Sequence, residues 1–122
     1  MKKKILIIDD KEAIIKIVSI YLSKDYDFKS FMNPIEALEW LEKDNIPDLI
    51  ISDIRMPLMS GVELVDKLKS NNKLKFIPII ILSAEDDSAM RINLLRKGCD
   101  DYIVKPFNPL ELKVRIKRIL LQ

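Results

Sequence analysis

Four short apolar runs in this chain each stop at a polar residue capable of chemistry: residues 5–8 before Asp9 and Asp10, 49–51 before Asp53, 79–82 before Ser83, and 102–104 before Lys105. Runs so short and so rich in β-branched residues, separated by helix-length segments, read as buried parallel strands, because strands covered by helices on both faces are apolar throughout. In an open parallel sheet the carboxyl ends of such strands share one edge, and ligands bind outside that edge. The pattern predicts an α/β domain with three carboxylates, a hydroxyl and an amine in one crevice.

The intervening segments fit that scheme. Ile14, Ile15, Val18, Tyr21 and Leu22 recur at helical spacing and predict a helix over 12–23. Residues 28–31 form a short, more polar strand suited to a sheet edge. Asn33 caps a second helix with Pro34 at its first position and Ala37, Leu38 and Leu41 as its inner stripe, leaving Trp40 at the periphery. After a turn at 45–47, the third strand covers 49–53. A loop over 54–61 then leads to a helix facing inward through Val62, Val65 and Leu68, with Leu64 beside them. Residues 70–75 make a polar connection. The helix over 88–97 carries Met90, Leu94 and Leu95 inward and stops at Gly98, a left-handed cap. Pro109 opens the last helix, with Leu110, Val114 and Ile119 as its predicted stripe. Five strands alternate with five helices, without repeats.

A length of 122 residues suits one domain over 1–122, and 48% hydrophobic with 33% charged residues is the balance of a folded soluble protein. The first apolar run ends after four residues at two aspartates, short of the roughly 7–15 residues of a secretory core, and no stretch is long enough to cross a bilayer. The lone Cys99 has no disulfide partner and reads as a packed thiol. A cytoplasmic protein without a membrane partner is expected. A net charge of +2 argues against nucleic-acid binding by this segment itself. The absence of histidine removes Ser-His and Cys-His nucleophiles, histidine metal sites and a phosphohistidine-carrier role.

Carboxylate, lysine and hydroxyl groups remain. Asp9 and Asp10 are adjacent at a strand end, so their side chains diverge: one can reach a metal while the other holds a water or orients its neighbour. With Asp53 the donor set is oxygen only, which suits Mg²⁺. Three unpaired carboxylates repel, and Lys105 is the one strand-end cation available to relieve them. Such a site fits phosphoryl transfer: Asp53 as carboxylate nucleophile, the metal and Lys105 against the phosphoryl oxygens, and the Ser83 hydroxyl as a donor. Singly, these residues could be a helix cap, a turn former and a surface charge; four such coincidences at four strand ends are the poorer account.

Asp9-Asp10, Asp53 followed by Met56-Pro57 and Gly61, Ser83-Ala84, and Tyr102 ahead of Lys105-Pro106-Phe107 together resemble the receiver domain of two-component response regulators, over essentially the whole chain. The resemblance implies a flavodoxin-like, doubly wound five-stranded sheet of order 2-1-3-4-5. It implies that Asp53 accepts a phosphoryl group from a sensor histidine kinase. Asp10, Asp53 and the Arg55 backbone carbonyl would bind Mg²⁺, and Asp9 would act through water. Ser83 and Tyr102 match the family's hydroxyl and aromatic switch pair, Ser83 standing where threonine is common. It also motivates a cis Lys105-Pro106 peptide, which would turn Lys105 back into the crevice.

A signalling switch, not an enzyme in the ordinary sense, is therefore expected. Arg91, Asp100, Asp101, Glu111, Arg115 and Arg118 resemble the ion-pair pattern by which receivers of the winged-helix transcription-factor class form homodimers on phosphorylation. DNA would then be reached only through an effector domain outside this chain. The alternative output is a stand-alone receiver that binds a protein target. An aspartate-nucleophile phosphatase needs a second aspartate where Arg55 stands, and a flavin carrier needs a hydroxyl-rich phosphate loop where residues 9–12 are charged. A receiver that is never phosphorylated would not need this complete set of acceptor residues.

Overall fold

The computed structural model describes residues 2–121. Five strands, β1 (Lys3–Ile8), β2 (Tyr26–Phe31), β3 (Leu49–Ser52), β4 (Ile79–Ser83) and β5 (Asp101–Val104), alternate with helices α1 (Glu12–Leu22), α2 (Pro34–Glu42), α3 (Gly61–Lys69), α4 (Ser88–Arg96) and α5 (Pro109–Leu120). The strands form one parallel sheet of order β2-β1-β3-β4-β5, so the expected fold and strand order are borne out.

Alternate side chains of each strand enter opposite layers, which is why the central runs are apolar at every position. On one face Leu6, Ile8, Ile50, Ile79 and Ile81 pack with Ala37, Leu38 and Leu41 of α2, Leu64, Val65 and Leu68 of α3, and Leu94 of α4. On the other, Ile5, Ile7, Ile51, Ile80, Leu82 and Ile103 meet Val18 and Leu22 of α1 and Leu112 and Ile116 of α5. The edge strand β2 lacks this double cover and has no buried position: Tyr26, Phe28 and Phe31 are half-buried and the rest exposed. It begins at Tyr26, earlier than its polar composition suggested.

Helix starts follow local chemistry. Asn33, Ser60, Asp87 and Asn108 each accept a backbone N–H of the first turn of α2, α3, α4 and α5, and proline opens α2 and α5. Gly98 has a φ of 109°, the left-handed conformation expected of it. Trp40 is half-buried with its ring tilted against Phe31, as a peripheral packing residue. Cys99 is buried and its thiol is pushed up to about 12 by desolvation, consistent with packing and not reactivity. No helix among the described residues is long and apolar enough to cross a membrane.

Four helix faces differ from the sequence expectation. Leu112 and Ile116 are the buried pair of α5, whereas Leu110 and Val114 are 61% and 59% exposed. This helix carries apolar residues all round, and the row Leu112, Ile116, Leu120 is the longer of its two rows at four-residue spacing. In α1, Tyr21 is exposed while Val18 and Leu22 face the sheet. In α3, Leu64 is fully buried and Val62 only half so; in α4, Leu94 alone is buried and Leu95 is exposed. In each case the apolar count exceeds what one face against a sheet can cover.

Candidate functional site

The ends of β1, β3, β4 and β5 bring Asp9, Asp10, Asp53, Ser83 and Lys105 to one edge of the sheet. The ladder continues just past the strands: Asp9 N–H donates to the Phe31 carbonyl at 3.1 Å and Asp53 N–H to that of Ile8 at 3.0 Å. These bonds hold both carboxylates at the edge. One carboxylate oxygen each of Asp9, Asp10 and Asp53 lie within 4.8 Å of one another.

Asp9 is buried and accepts twice, from Lys11 N–H on Oδ1 at 2.9 Å and from Lys105 Nζ on Oδ2 at 2.8 Å. Asp53, also buried, accepts Ile54 N–H on Oδ1 at 2.8 Å, and its Oδ2 lies 3.4 Å from Lys105 Nζ. The Lys105 side chain is 11% exposed, so one ammonium sits between two buried carboxylates. Two anions beside one cation leave negative charge in excess, and burial makes that excess costly.

Asp10 Oδ1 is buried without a hydrogen-bond partner, the nearest cation being Lys11 Nζ at 3.6 Å. An orphaned carboxylate oxygen beside two further carboxylates is the arrangement a hard divalent cation would complete. The donor set therefore fits Mg²⁺.

The fourth strand end supplies Ser83, whose buried Oγ accepts Glu85 N–H at 3.0 Å and keeps its own proton for donation. Lys105 N–H donates to the Ser83 carbonyl at 2.7 Å, and the Lys105-Pro106 peptide is cis, as expected. Tyr102 is buried, and its hydroxyl donates to the Glu85 carbonyl at 2.8 Å. Thus the aromatic of β5 is tied to the loop that follows Ser83.

Three features had no clear signal in the sequence. The Arg55 side chain, considered there only for its backbone carbonyl, pairs with Glu85 across the loops after β3 and β4. Those loops and the starts of α3 and α4 line an open cleft of about 560 Å³, with Ile54, Met56, Val62 and Met90 among its walls. Gly61, quoted above only as part of a motif, packs against the acceptor loop itself. A Cβ there would lie 2.5 Å from the Asp53 carbonyl oxygen and 2.7 Å from Ile54 Cα.

The six charged residues expected at an interface divide into groups. Arg115 reaches both carboxylate oxygens of Asp101, at 2.8 and 2.9 Å, and Glu111 at 3.0 Å, all within the chain. Arg118 joins Asp100, Asp101 and Arg115 in lining a small hollow. Asp100 also accepts Ile79 N–H at 2.9 Å, which anchors the start of β4. Arg91, on α4, lies 3.5 Å from Asp86 and apart from the Arg115 cluster.

Desolvation raises the Asp9 carboxyl above its ordinary 3.8, against the opposing hydrogen bonds from Lys105 and Lys11. A folded-state value above the unfolded one means that the folded chain binds more protons between the two, so stability falls as pH rises through that window. The full cost is present at neutral pH. Asp9→Asn is accordingly expected to raise the Tm at pH 7 in metal-free buffer, with the gain shrinking as pH falls and closing below 3.8. Melts of both proteins across that range check it; a gain that stayed constant with pH would refute the titration argument.

Comparison with known proteins agrees with this geometry. The family model described as the response regulator receiver domain matches residues 5–117. The chain is 39% identical over 121 residues to the alkaline phosphatase synthesis transcriptional regulatory protein PhoP of Bacillus subtilis (strain 168), covering 98% of this chain and 49% of that protein. It is 39% identical over 119 residues to histidine kinase P4 of Formosa agariphila, covering 98% of this chain and 9% of the kinase. Among solved structures, the chemotaxis response regulator CheY4 of Vibrio cholerae superposes with a TM-score of 0.89 at 32% identity, over 98% of this chain and 99% of CheY4. The chain thus spans about half of one relative and less than a tenth of the other.

Proposed function

Because the chain belongs to the response regulator receiver family, signalling domains of two-component systems, we propose that Asp53 is its phosphoacceptor and that a sensor histidine kinase is its donor. The observation that carries this reading is Lys105 Nζ, 2.8 Å from Asp9 and 3.4 Å from Asp53, next to an Asp10 oxygen with no partner. A structural ion pair would need one carboxylate; a phosphoryl site needs a nucleophile, cation ligands and a fixed positive charge.

Of the two Asp53 oxygens, Oδ1 is held by Ile54 N–H and Oδ2 is the one free to form a bond to phosphorus. That bond forms as the phosphorus–nitrogen bond to the donor histidine breaks, and the imidazole leaves with the electron pair. Lys105 and the Ser83 hydroxyl then donate to two of the phosphoryl oxygens, from a buried setting where such bonds are strong. Asp10, Asp53 and the Arg55 carbonyl, with Asp9 through water, would hold Mg²⁺, which would supply the charge that lets carboxylates and phosphoryl oxygens sit together. Drawing the Ser83 hydroxyl toward the phosphoryl group pulls on the loop that Tyr102 holds through Glu85, and so carries the change to β5. A small phosphodonor with Mg²⁺ is expected to add one phosphoryl group by intact mass, and none when EDTA is present. An unchanged mass with Mg²⁺ would overturn the reading.

The output we propose is a phosphorylation-dependent homodimer through α4, β5 and α5 that controls a DNA-binding effector outside this chain, in a cytoplasmic protein. Asp101, Glu111 and Arg115 already form a cluster there, and Ile92, Leu95, Leu110 and Val114 leave α4 and α5 with exposed apolar surface. In a two-fold contact each pair occurs twice, between subunits. Exposed pairs are individually weak, so the dimer is expected to require phosphorylation and to loosen in salt. Light scattering with a phosphate mimic, at low and high salt, checks this on the parent and on Arg115→Glu. A dimer lost in the variant supports the contact; a chain monomeric throughout favours a stand-alone receiver binding a protein target.

A further inference from the structure

We propose that this chain associates with itself head to tail, the Phe76 side chain of one copy entering the apolar cleft beside Arg55 and Glu85 of the next. The two faces lie at opposite ends of the molecule. Phe76 stands just before β4, at the amino edge of the parallel sheet, whereas Glu85 follows β4 and borders the cleft at the carboxyl edge.

Phe76 is 80% exposed, the most exposed of the large apolar side chains among the described residues. The chain around it is fixed. Leu74 and Ile77, before and after it, are buried; the N–H groups of Leu74 and Lys75 donate to the Asn71 carbonyl at 3.2 and 2.9 Å, and Ile77 N–H donates to that of Leu74 at 3.1 Å. An aromatic side chain held outward on an ordered turn has a large area to bury and little backbone freedom to lose on contact.

The cleft, about 560 Å³ and open, has room for a phenyl ring, and its walls include the thioethers of Met56 and Met90, which adapt to an aromatic ring and contact it favourably. Charge favours the same pairing. Lys75 Nζ lies 5.2 Å from the Phe76 ring centroid and Lys69 Nζ donates to the Lys75 carbonyl at 3.3 Å, and neither ammonium is in an ion pair among the described residues. At the cleft Arg55 and Glu85 neutralise one another, which leaves the carboxylates of Glu63, next to Val62, and of Asp87, which caps the helix that carries Met90. A basic rim around the ring thus meets an acidic rim around the cleft. A second copy is the occupant because one molecule carries both complementary faces. As the faces do not coincide, the contact repeats and builds open chains instead of closing on a dimer.

The test is the mass of the protein without any phosphodonor, where the dimer through α4, β5 and α5 is not expected, so that the two associations are read separately. Sedimentation equilibrium from micromolar to millimolar concentration is expected to give a weight-average mass that rises continuously and passes that of a dimer. Phe76→Asp, at a position too exposed to disturb the fold, is expected to stay monomeric. A lysine in the cleft is expected to do the same; Met90→Lys and Val62→Lys are both made, so that one variant failing to fold does not decide the matter. Mixed one to one at a concentration where the parent associates, Phe76→Asp and a cleft variant that melts cooperatively are expected to form a dimer and nothing larger, because each keeps one intact face. A parent that stays monomeric at millimolar concentration would overturn the proposal. So would a parental mass that levels off at a dimer, a Phe76→Asp or folded cleft variant that associates like the parent, or a mixture that remains monomeric.

Discussion

Asp53→Asn is expected to abolish phosphoryl uptake while leaving the fold intact. The amide oxygen can still accept Ile54 N–H where Asp53 Oδ1 does, at 2.8 Å, and the change in volume is negligible. What disappears is the anionic oxygen beside Lys105, the only one we assign to bond formation. Asp9 is no substitute, since both of its oxygens are occupied, by Lys11 N–H and Lys105 Nζ. Asp10 has a free oxygen, but it lacks the Lys105 contact that would balance a phosphoryl group. Intact mass after incubation with a phosphodonor and Mg²⁺ is expected to show one added group in the parent and none in the variant. Labelling retained in Asp53→Asn would mean that another carboxylate is the nucleophile. Loss of one of three clustered oxygen ligands is also expected to weaken Mg²⁺ binding, read in a metal titration.

Gly61→Ala is expected to damage both stability and the site. The added methyl would stand 2.5 Å from the Asp53 carbonyl oxygen and 2.7 Å from Ile54 Cα, and both obstacles are backbone that no rotamer change can clear. Gly61 N–H also donates to the Ile54 carbonyl at 2.6 Å, which ties the start of α3 to the acceptor loop. One of the two segments has to move. Overpacking of this kind costs about 2 kcal/mol, which for a domain of this size lowers the Tm on the order of 8 °C. Because the displaced segment carries Asp53, the rate with a small phosphodonor is expected to fall as well. A control at the adjoining cap, Ser60→Ala, removes the bond to Glu63 N–H without crowding Asp53 and is expected to cost stability while sparing that rate. A Gly61→Ala protein with parental Tm and rate would show that the loop yields freely.

The contrast between α2 and α5 indicates how far a helical stripe can be read in advance. In α2 Glu36, Glu39 and Glu42 recur at three-residue spacing and mark the solvent side, so the stripe Ala37, Leu38 and Leu41 can be read in advance, and it is buried. In α5 the polar residues alternate with apolar ones, two rows of apolar side chains compete, and Leu110 and Val114 of the expected stripe are exposed. Val62 and Leu95 failed for the same reason. Where hydrophobicity is abundant, its periodicity no longer identifies a face.

The sequence by itself determined the strands, their parallel sense and the residues at the crevice, because four of the five strands are local apolar runs with a group that does chemistry within two residues of the last apolar one. Tertiary structure alone decided how those groups are paired. Lys105 lies 96 positions from Asp9, and nothing local selects Asp9 over Asp10 as its closer partner. That selection depends on where the assembled sheet puts the two strand ends, with Lys105 N–H on the Ser83 carbonyl at 2.7 Å and Asp9 N–H on that of Phe31 at 3.1 Å. The links from Arg55 to Glu85 and from Tyr102 to the Glu85 carbonyl arise in the same way. Apolar patterning is a property of neighbours along the chain, whereas ion pairs and close approaches depend on distances that exist only once the sheet has been assembled.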